Sequence, residues 1–548
     1  MRLLISKYLK KDLFSYVSAF LILIVLTRFI ASFFSTAYDW DIDHRIYFSQ
    51  RLLNGELNYI NEFDDQLPFM QYLFLLPAFF KSVKVWVLIS SISVLTSAFY
   101  LFRFLRGLIY FDWGLKNKNI ASKISFLSSL GFVFLLSSLD GTLVQINAIA
   151  CSFSVLSIVF YLGINKEYSY HKDRNKKNYL LSVLFGAMSI SVRPYYAPHI
   201  LLIAIWDFHR SLSERRNKNI LFPLFRWMIS LIFIGTLINA TPYILTGKLN
   251  DFISGIKLNG QLLHPNKPIE ILYEQFNDIV FKTGNFESII YLPFLLIIFI
   301  FIFIFLSKFY NLQFLLFKVN KIKCDLFYIG IVSPLLIELV ILGKHYWNHY
   351  VQLFAGLSSI SFAFLLILLM KFKSSNFEIK FFSNKLFFNL VLIITLIFLG
   401  RIELIKSTYY LSGLFKNHFQ QTDLKLVQEF LNKRKDQNLT TDFLYPTGMY
   451  IHWKLNEPRH GFPNAANFLY IYDSYWENIK LGIFKKEDYS YEGFCKVLAE
   501  NSPSIVFGGE NSYEKSCLSN PKYERKILFI GKNNFEKLFA ITRLENNK

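Results

Sequence analysis

Three carboxylates alternate along Asp39-Trp40-Asp41-Ile42-Asp43-His44-Arg45-Ile46-Tyr47, just past the first long apolar run of the chain. Acids gathered beside an apolar surface raise one another's proton affinity, and such groups act as a general base or hold a divalent cation. The polar stretch continues through Leu53-Asn54-Gly55-Glu56-Leu57-Asn58-Tyr59 to Asp64-Asp65-Gln66-Leu67-Pro68. Transfer of a group to a hydroxyl needs a carboxylate of this kind, which takes the hydroxyl proton as the oxygen attacks. The plainer alternative is a hydrated acidic loop.

A phosphate leaving group needs cations or a metal where its charge develops. Two segments offer them. Gly343-Lys344-His345-Tyr346-Trp347-Asn348-His349-Tyr350 places Lys344, His345 and His349 at the start of a late apolar run. Either they meet a phosphate, or they are snorkelling cations in an interfacial aromatic belt. Arg193-Pro194-Tyr195-Tyr196 puts an arginine at the end of another apolar run. A charge there faces a cavity or partner, or snorkels to the interface. His264 and Glu270 are weaker candidates in the following polar loop.

The elements that hold these residues are set by composition. The chain has 548 residues, 53% hydrophobic and 18% charged. Apolar runs recur from Leu13 almost to Gly400, several near the roughly 20 residues that span a bilayer core. Sixty Phe suit a lipid-facing surface. The net charge of +20 does not signal nucleic acid, because the Lys and Arg lie in short tracts between apolar runs.

Hydropathy places spans at 13–37, 84–102, 124–139, 142–163, 179–192, 195–207, 227–246, 288–307, 326–343, 350–370 and 386–400, about eleven in all. Connecting loops alternate in charge. Basic loops around Lys7–Lys11, Arg103–Lys123, Lys172–Lys177, Arg210–Lys218, Lys318–Lys323 and Lys371–Lys385 belong in the cytoplasm. The acidic or mixed loops, with Asp39 to Asp65, Asp140 and residues 247–287, belong outside. This alternation favours two short spans over 179–207, broken at Arg193-Pro194, rather than one long span. The first run, Leu13 to Phe34, is longer than a signal core and is expected to be a retained span.

The expected architecture is therefore an all-α polytopic membrane part over 1–400, with an outer loop at 38–83, and a small C-terminal α/β part over 401–548. The N-terminus is expected in the cytoplasm and the C-terminal part in the periplasm of a plasma (inner) membrane protein. Strand-length runs at Phe443–Tyr445, Ser504–Phe507 and Ile527–Ile530 alternate with helix-like Leu424–Leu431 and Tyr491–Glu500. Cys495 and Cys517 share that part and either pair or stay free thiols.

After its first span the chain resembles the bacterial polytopic glycosyltransferases of the GT-C fold, related to protein O-mannosyltransferases and to the aminoarabinose transferase of lipid A. Those proteins carry there an Asp, a Tyr, a Leu-x-x-Gly-x-x-x-Tyr stretch and a short Asp-x-Lys-Pro-Pro-like segment. The matching residues are Asp41, Tyr47, Leu52-Leu53-Asn54-Gly55-Glu56-Leu57-Asn58-Tyr59, and Asp64-Asp65-Gln66-Leu67-Pro68. Gln66 and Leu67 stand where Lys and Pro are usual. A second match is the Lys344 to Leu353 stretch, with Lys344 where Arg is common. Pro446–Ile451 and Pro503–Phe507 resemble the outer domain in pattern alone.

The resemblance implies an inverting transfer of a sugar from a polyprenyl-phosphate donor to a glycan, lipid or protein acceptor. It implies Asp41 as the catalytic Asp, acting as the base, with Asp43 and Asp39 as rivals, and Tyr47, Tyr59 and Asp64 near the substrate. Arg193, Lys344, His345 and His349 would meet the donor phosphate. A magnesium or manganese ion, if one takes part, would sit on Asp41 and Asp43. Two other classes make different demands on the sequence. A transporter or lipid flippase predicts paired charges at mid-membrane, where Glu338 is the main one. A surface-polysaccharide polymerase or ligase uses a pyrophosphate donor and does not require the acidic loop. A P-loop pattern, zinc-type Cys/His spacing and a Gly-x-Ser-x-Gly elbow are all absent.

Overall fold

Seven positions at alternating spacings of three and four, Val87, Ser90, Val94, Ser97, Leu101, Phe104 and Leu108, are all buried. That is one face of a long helix. The opposite stripe, Leu88, Ile92, Leu95 and Phe99, is exposed. An exposed leucine-rich stripe opposite a serine-bearing buried face suits a helix whose outer side meets lipid.

The structure is a computed structural model of the chain. It describes residues 40–60, 66–112, 118–136, 145–162, 176–194, 221–263, 419–433, 441–443, 453–455, 505–508, 523–530 and 537–543, with isolated positions within 19–34, 196–197 and 352–363. The helices are α1 Trp40–Leu53, α2 Phe69–Leu73, α3 Leu75–Phe79, α4 Val83–Gly107, α5 Lys118–Leu135, α6 Ile146–Leu162, α7 Lys176–Val192, α8 Leu221–Leu245, α9 Leu249–Leu263 and α10 Phe419–Asn432. The strands are β1 Thr441–Phe443, β2 Ile505–Gly508, β3 Tyr523–Ile530 and β4 Lys537–Arg543.

Two compact units divide the chain. One comprises residues 1–33, 87–237 and 267–411; the other comprises 34–86, 238–266 and 412–548.

In the first unit, α6 and α7 run antiparallel and are tied by serines. Ser157 Oγ donates to the Ser182 carbonyl at 2.8 Å, and Ser189 Oγ to the Ala150 carbonyl at 2.9 Å. Ser97 of α4 donates to the Ser152 carbonyl at 3.1 Å. Small hydroxyl residues let helix backbones approach closely where water does not drive them together. Trp227 of α8 donates its Nε1–H to Ser182 Oγ at 2.7 Å. Among the described residues two helices, Val83–Tyr110 and Phe225–Leu245, are long and apolar enough to cross a membrane. The spans expected at 84–102, 124–139, 142–163, 179–192 and 227–246 each overlap a helix. The expected break is also there: α7 ends at Val192 and Pro194 lies in a turn. The spans at 288–307, 326–343 and 386–400 lie outside the described residues.

The second unit holds the loop after the first run, α9 and a four-stranded sheet. The sheet order is β1-β2-β4-β3, with β1 and β2 parallel and the other pairs antiparallel. β1, Thr441–Phe443, meets the expected strand at Phe443, with 444–445 outside the described residues, and β4 was not foreseen. Both glycines at positive φ end a helix here. Gly55 (φ 86) closes α1: its N–H bonds the Leu52 carbonyl at 3.0 Å, and the Glu56 N–H bonds the Arg51 carbonyl at 3.0 Å. Gly247 (φ 68) closes α8 with the same pair of bonds, to Ile244 and Tyr243. A residue without Cβ takes this left-handed position at little cost.

Candidate active site

The segment with alternating acids is a helix, not a hydrated loop. Asp41 and Asp43 sit in the first turn of α1, where the helix dipole favours negative charge, and Arg51 sits in the last. Arg51 pairs with Glu56 across the Gly55 turn, Nε donating to Oε2 at 2.8 Å. From Ile42 to Gln50 every side chain is buried, and α1 packs on α2 and α3.

Asp43 is 2% exposed. A carboxylate removed from water needs a donor. One comes from the C-terminal part of the chain: Trp453, wholly buried, donates its Nε1–H to Asp43 Oδ1 at 3.0 Å. The next residue locks the contact. The Lys454 ammonium lies 4.3 Å from the Trp453 ring centroid and donates to the Lys81 carbonyl at 3.0 Å. Lys81 is at positive φ (46) in the turn between α3 and α4. Burial holds the Lys454 amine below its ordinary pKa, with repulsion from Lys81 adding to the effect and attraction from Asp43 opposing it. His44 and Arg45 are buried on α1 next to Asp43.

Tyr59 anchors the loop after α1. It is held at positive φ (66), a strained position for a ring-bearing residue. Its hydroxyl donates to the Gln66 carbonyl at 2.8 Å, and Asn58 Nδ2 donates to the same oxygen at 3.1 Å. The Tyr243 hydroxyl donates to the Asn58 carbonyl at 2.7 Å. Asn239 Oδ1 accepts the Phe69 N–H at 3.0 Å and so caps the start of α2. The Tyr59 ring stacks on Tyr243 and tilts against Phe252.

Asp41, Asp43, Tyr47 and Tyr59 thus fall in one unit, on or just after α1. Asp41 is partly exposed; Tyr47 is wholly buried, edge-on to Phe48. Arg193 belongs to the other unit, 9% exposed, with Nε donating to Asn147 Oδ1 at 2.7 Å. Asp39, Asp64, Lys344, His345 and His349 lie outside the described residues. Gln66 is buried, and its backbone oxygen ties the loop. Trp453, Lys454 and Tyr243 were not foreseen; the Pro446–Ile451 pattern pointed to the region of Trp453 and Lys454, and Asn58 lay within the matched Leu52–Tyr59 stretch without a role.

The expectation of one divalent ion shared by Asp41 and Asp43 does not fit α1. Two residues apart on a helix, the carboxylates leave the axis about 200° from each other. One Asp43 oxygen is also engaged by the indole. Among the described residues no group of three His, Cys, Asp or Glu converges as metal ligands.

No protein-family model matches the sequence, and no curated protein is significantly similar to it. Solved structures do share its shape. The chain has the GT-C fold of membrane glycosyltransferases. ArnT from Cupriavidus metallidurans in the apo state superposes with a TM-score of 0.54 at 9% identity, over 96% of this chain and 98% of that one. The same protein bound to undecaprenyl phosphate gives 0.54 at 10% identity, with the same coverage. The oligosaccharyltransferase of Archaeoglobus fulgidus, in complex with zinc and sulfate, gives 0.47 at 11% identity, over 96% of this chain and 74% of its own.

Proposed function

We propose that this chain is a membrane glycosyltransferase that moves a sugar from a polyprenyl-phosphate donor to an acceptor hydroxyl at the outer face of the membrane. The observation that carries it is a buried, indole-held carboxylate on the helix after the first span, in a chain with the GT-C fold over nearly its whole length. A solved structure of that fold has undecaprenyl phosphate bound, which supports a lipid-phosphate donor. The residues 401–548 are proposed as an extracytoplasmic part, and within it Trp453 reaches Asp43.

Asp43 is the base in this reading. Its burial removes competing water, and the Trp453 bond fixes its plane. The acceptor oxygen attacks the anomeric carbon as its proton passes to Asp43, and the bond from that carbon to the donor's phosphate oxygen breaks. The lipid phosphate leaves with the electron pair, and the sugar is inverted. Asp41, partly exposed on the other side of α1, is the rival base. Arg193, Lys344, His345 and His349 are the cations proposed for the phosphate, and Asp39 and Asp64 flank the acceptor side. A glycan, a lipid or a protein supplies the hydroxyl.

The test is transfer in detergent from a panel of radiolabelled polyprenyl-phosphate sugars into a membrane lipid extract, with and without chelator. Wild type is expected to transfer. Asp43→Asn is expected to lose about 10²–10⁴-fold, the usual contribution of a general base, and Asp41→Asn less. Full activity in Asp43→Asn with loss in Asp41→Asn moves the base to Asp41. Absence of transfer by folded wild type from every donor sinks the reading.

A further inference from the structure

Helix α9 has three faces, not two. At about 100° per residue, Phe252 and Gly255 fall on one edge, Leu249, Ile253 and Ile256 on a second, and Asn250, Asp251, Ser254 and Lys257 on the third. The first edge is buried. There Phe252 packs on Tyr243 and Tyr59, and Gly255 approaches the Tyr59 ring so closely that an added Cβ would lie 2.2 Å from it. The second edge is apolar and exposed. The third is polar and exposed.

A helix buried in protein has no exposed apolar edge, and a helix in water has little reason to keep one. Protein on one side, an apolar phase on the second and water on the third is the setting of a helix lying in a membrane interface.

The helix that precedes α9 in the chain is of membrane length and is also exposed and apolar along one side. Phe225, Ile229, Ile232, Phe233 and Leu237 are exposed along α8 at helical spacing, and Ile244 and Leu245 carry the apolar surface to its end. Leu245 is 80% exposed. Two residues later the Gly247 turn redirects the chain into α9, and Lys248 and Lys257, both exposed, bracket the new helix. Lysines at this level suit anionic headgroups.

We infer that α9 lies in the plane of the bilayer surface, with Leu249, Ile253 and Ile256 seated in the headgroup–acyl boundary. Its buried edge then holds the Tyr59 loop at a fixed height above the hydrocarbon. A lipid-linked substrate presents its phosphate at that level. The placement stands on the faces of the helix and is independent of which reaction the chain catalyses.

Wild-type protein in nanodiscs of phosphatidylcholine and phosphatidylglycerol, doped with a phosphatidylcholine bearing a diazirine near the head end of one chain, tests it. After irradiation, lipid adducts are mapped by peptide mass spectrometry. Adducts at Leu249, Ile253 and Ile256 are expected about tenfold above those at Asn250 and Ser254, together with adducts on Ile229, Ile232 and Phe233 of α8. Labelling of α8 without α9 overturns the inference, as does equal labelling of Ile253 and Ser254. Absence of labelling on both helices overturns it too.

Discussion

Trp453 donates its indole N–H to the carboxylate of Asp43 across 3.0 Å, joining residues 410 positions apart. Both side chains are buried, so the bond is made away from water, where a carboxylate depends on the donors it has.

Replacing Trp453 by Phe keeps most of the ring volume and removes the donor. The buried carboxylate is expected to lose about 1–3 kcal/mol of stabilisation, read as a lower thermal midpoint in detergent. Transfer activity is expected to fall in kcat more than in KM. The acidic limb of its pH profile is expected to move up, because the charged form has lost a hydrogen bond. An unchanged profile with a lower midpoint would reduce Trp453 to packing.

Lys454 provides a pH dependence with a definite sign. Its amine is held below the ordinary lysine value of 10.5, chiefly by burial. The folded chain therefore sheds this proton at lower pH than the unfolded chain does. Between the lowered value and 10.5 the unfolded state binds more protons, so this group's contribution to stability rises with pH there. Thermal unfolding of wild type and Lys454→Met across the alkaline range is the measurement. The wild type is expected to gain on the variant as pH rises, and parallel curves would contradict the lowered amine.

Gly255 is fixed by space, not by backbone conformation. Gly255→Ala places a methyl into the Tyr59 ring. The ring is tied at its hydroxyl to Gln66 and stacked on Tyr243, so it yields only by breaking one of these. A loss of about 1–3 kcal/mol is expected, as for overpacking elsewhere. A thermal midpoint equal to wild type would show that the ring moves freely.

Arg193 separates two roles cleanly. Its Nε bond to Asn147 belongs to the described fold; contact with a donor phosphate is the proposal. Arg193→Lys keeps the charge and loses the planar fork. If the guanidinium meets phosphate, KM for the polyprenyl-phosphate sugar is expected to rise about tenfold, the equivalent of roughly 1.4 kcal/mol. A lower thermal midpoint with unchanged KM assigns Arg193 to packing alone.

The membrane part was legible where periodicity carried it. Five expected spans overlap helices because long apolar runs fold as helices, and the break at Arg193-Pro194 follows from proline chemistry and loop charge. Gly55 was legible as part of the Leu-x-x-Gly stretch, and it is the left-handed residue that ends α1. α1 itself was not legible. It is buried all round yet carries Asp43, His44, Arg45, Ser49 and Gln50, so no apolar stripe marks it. Trp453 was invisible for another reason: an isolated Trp-Lys pair in a polar segment has no spacing that points to an acid in the first loop. Likewise β4, Lys537–Arg543, alternates too briefly to stand out from its surroundings.

The contacts of the loop after α1 also fix an order of events during synthesis. Asn58 waits for Tyr243, 185 residues downstream, and Asp43 waits for Trp453, 410 residues downstream. A ribosome adds 410 residues after Asp43 before it makes the indole that Asp43 requires. Until then the carboxylate is better off hydrated, and the loop stays open to the solvent. Nascent or truncated chains ending before Trp453 thus carry the acid without the clamp.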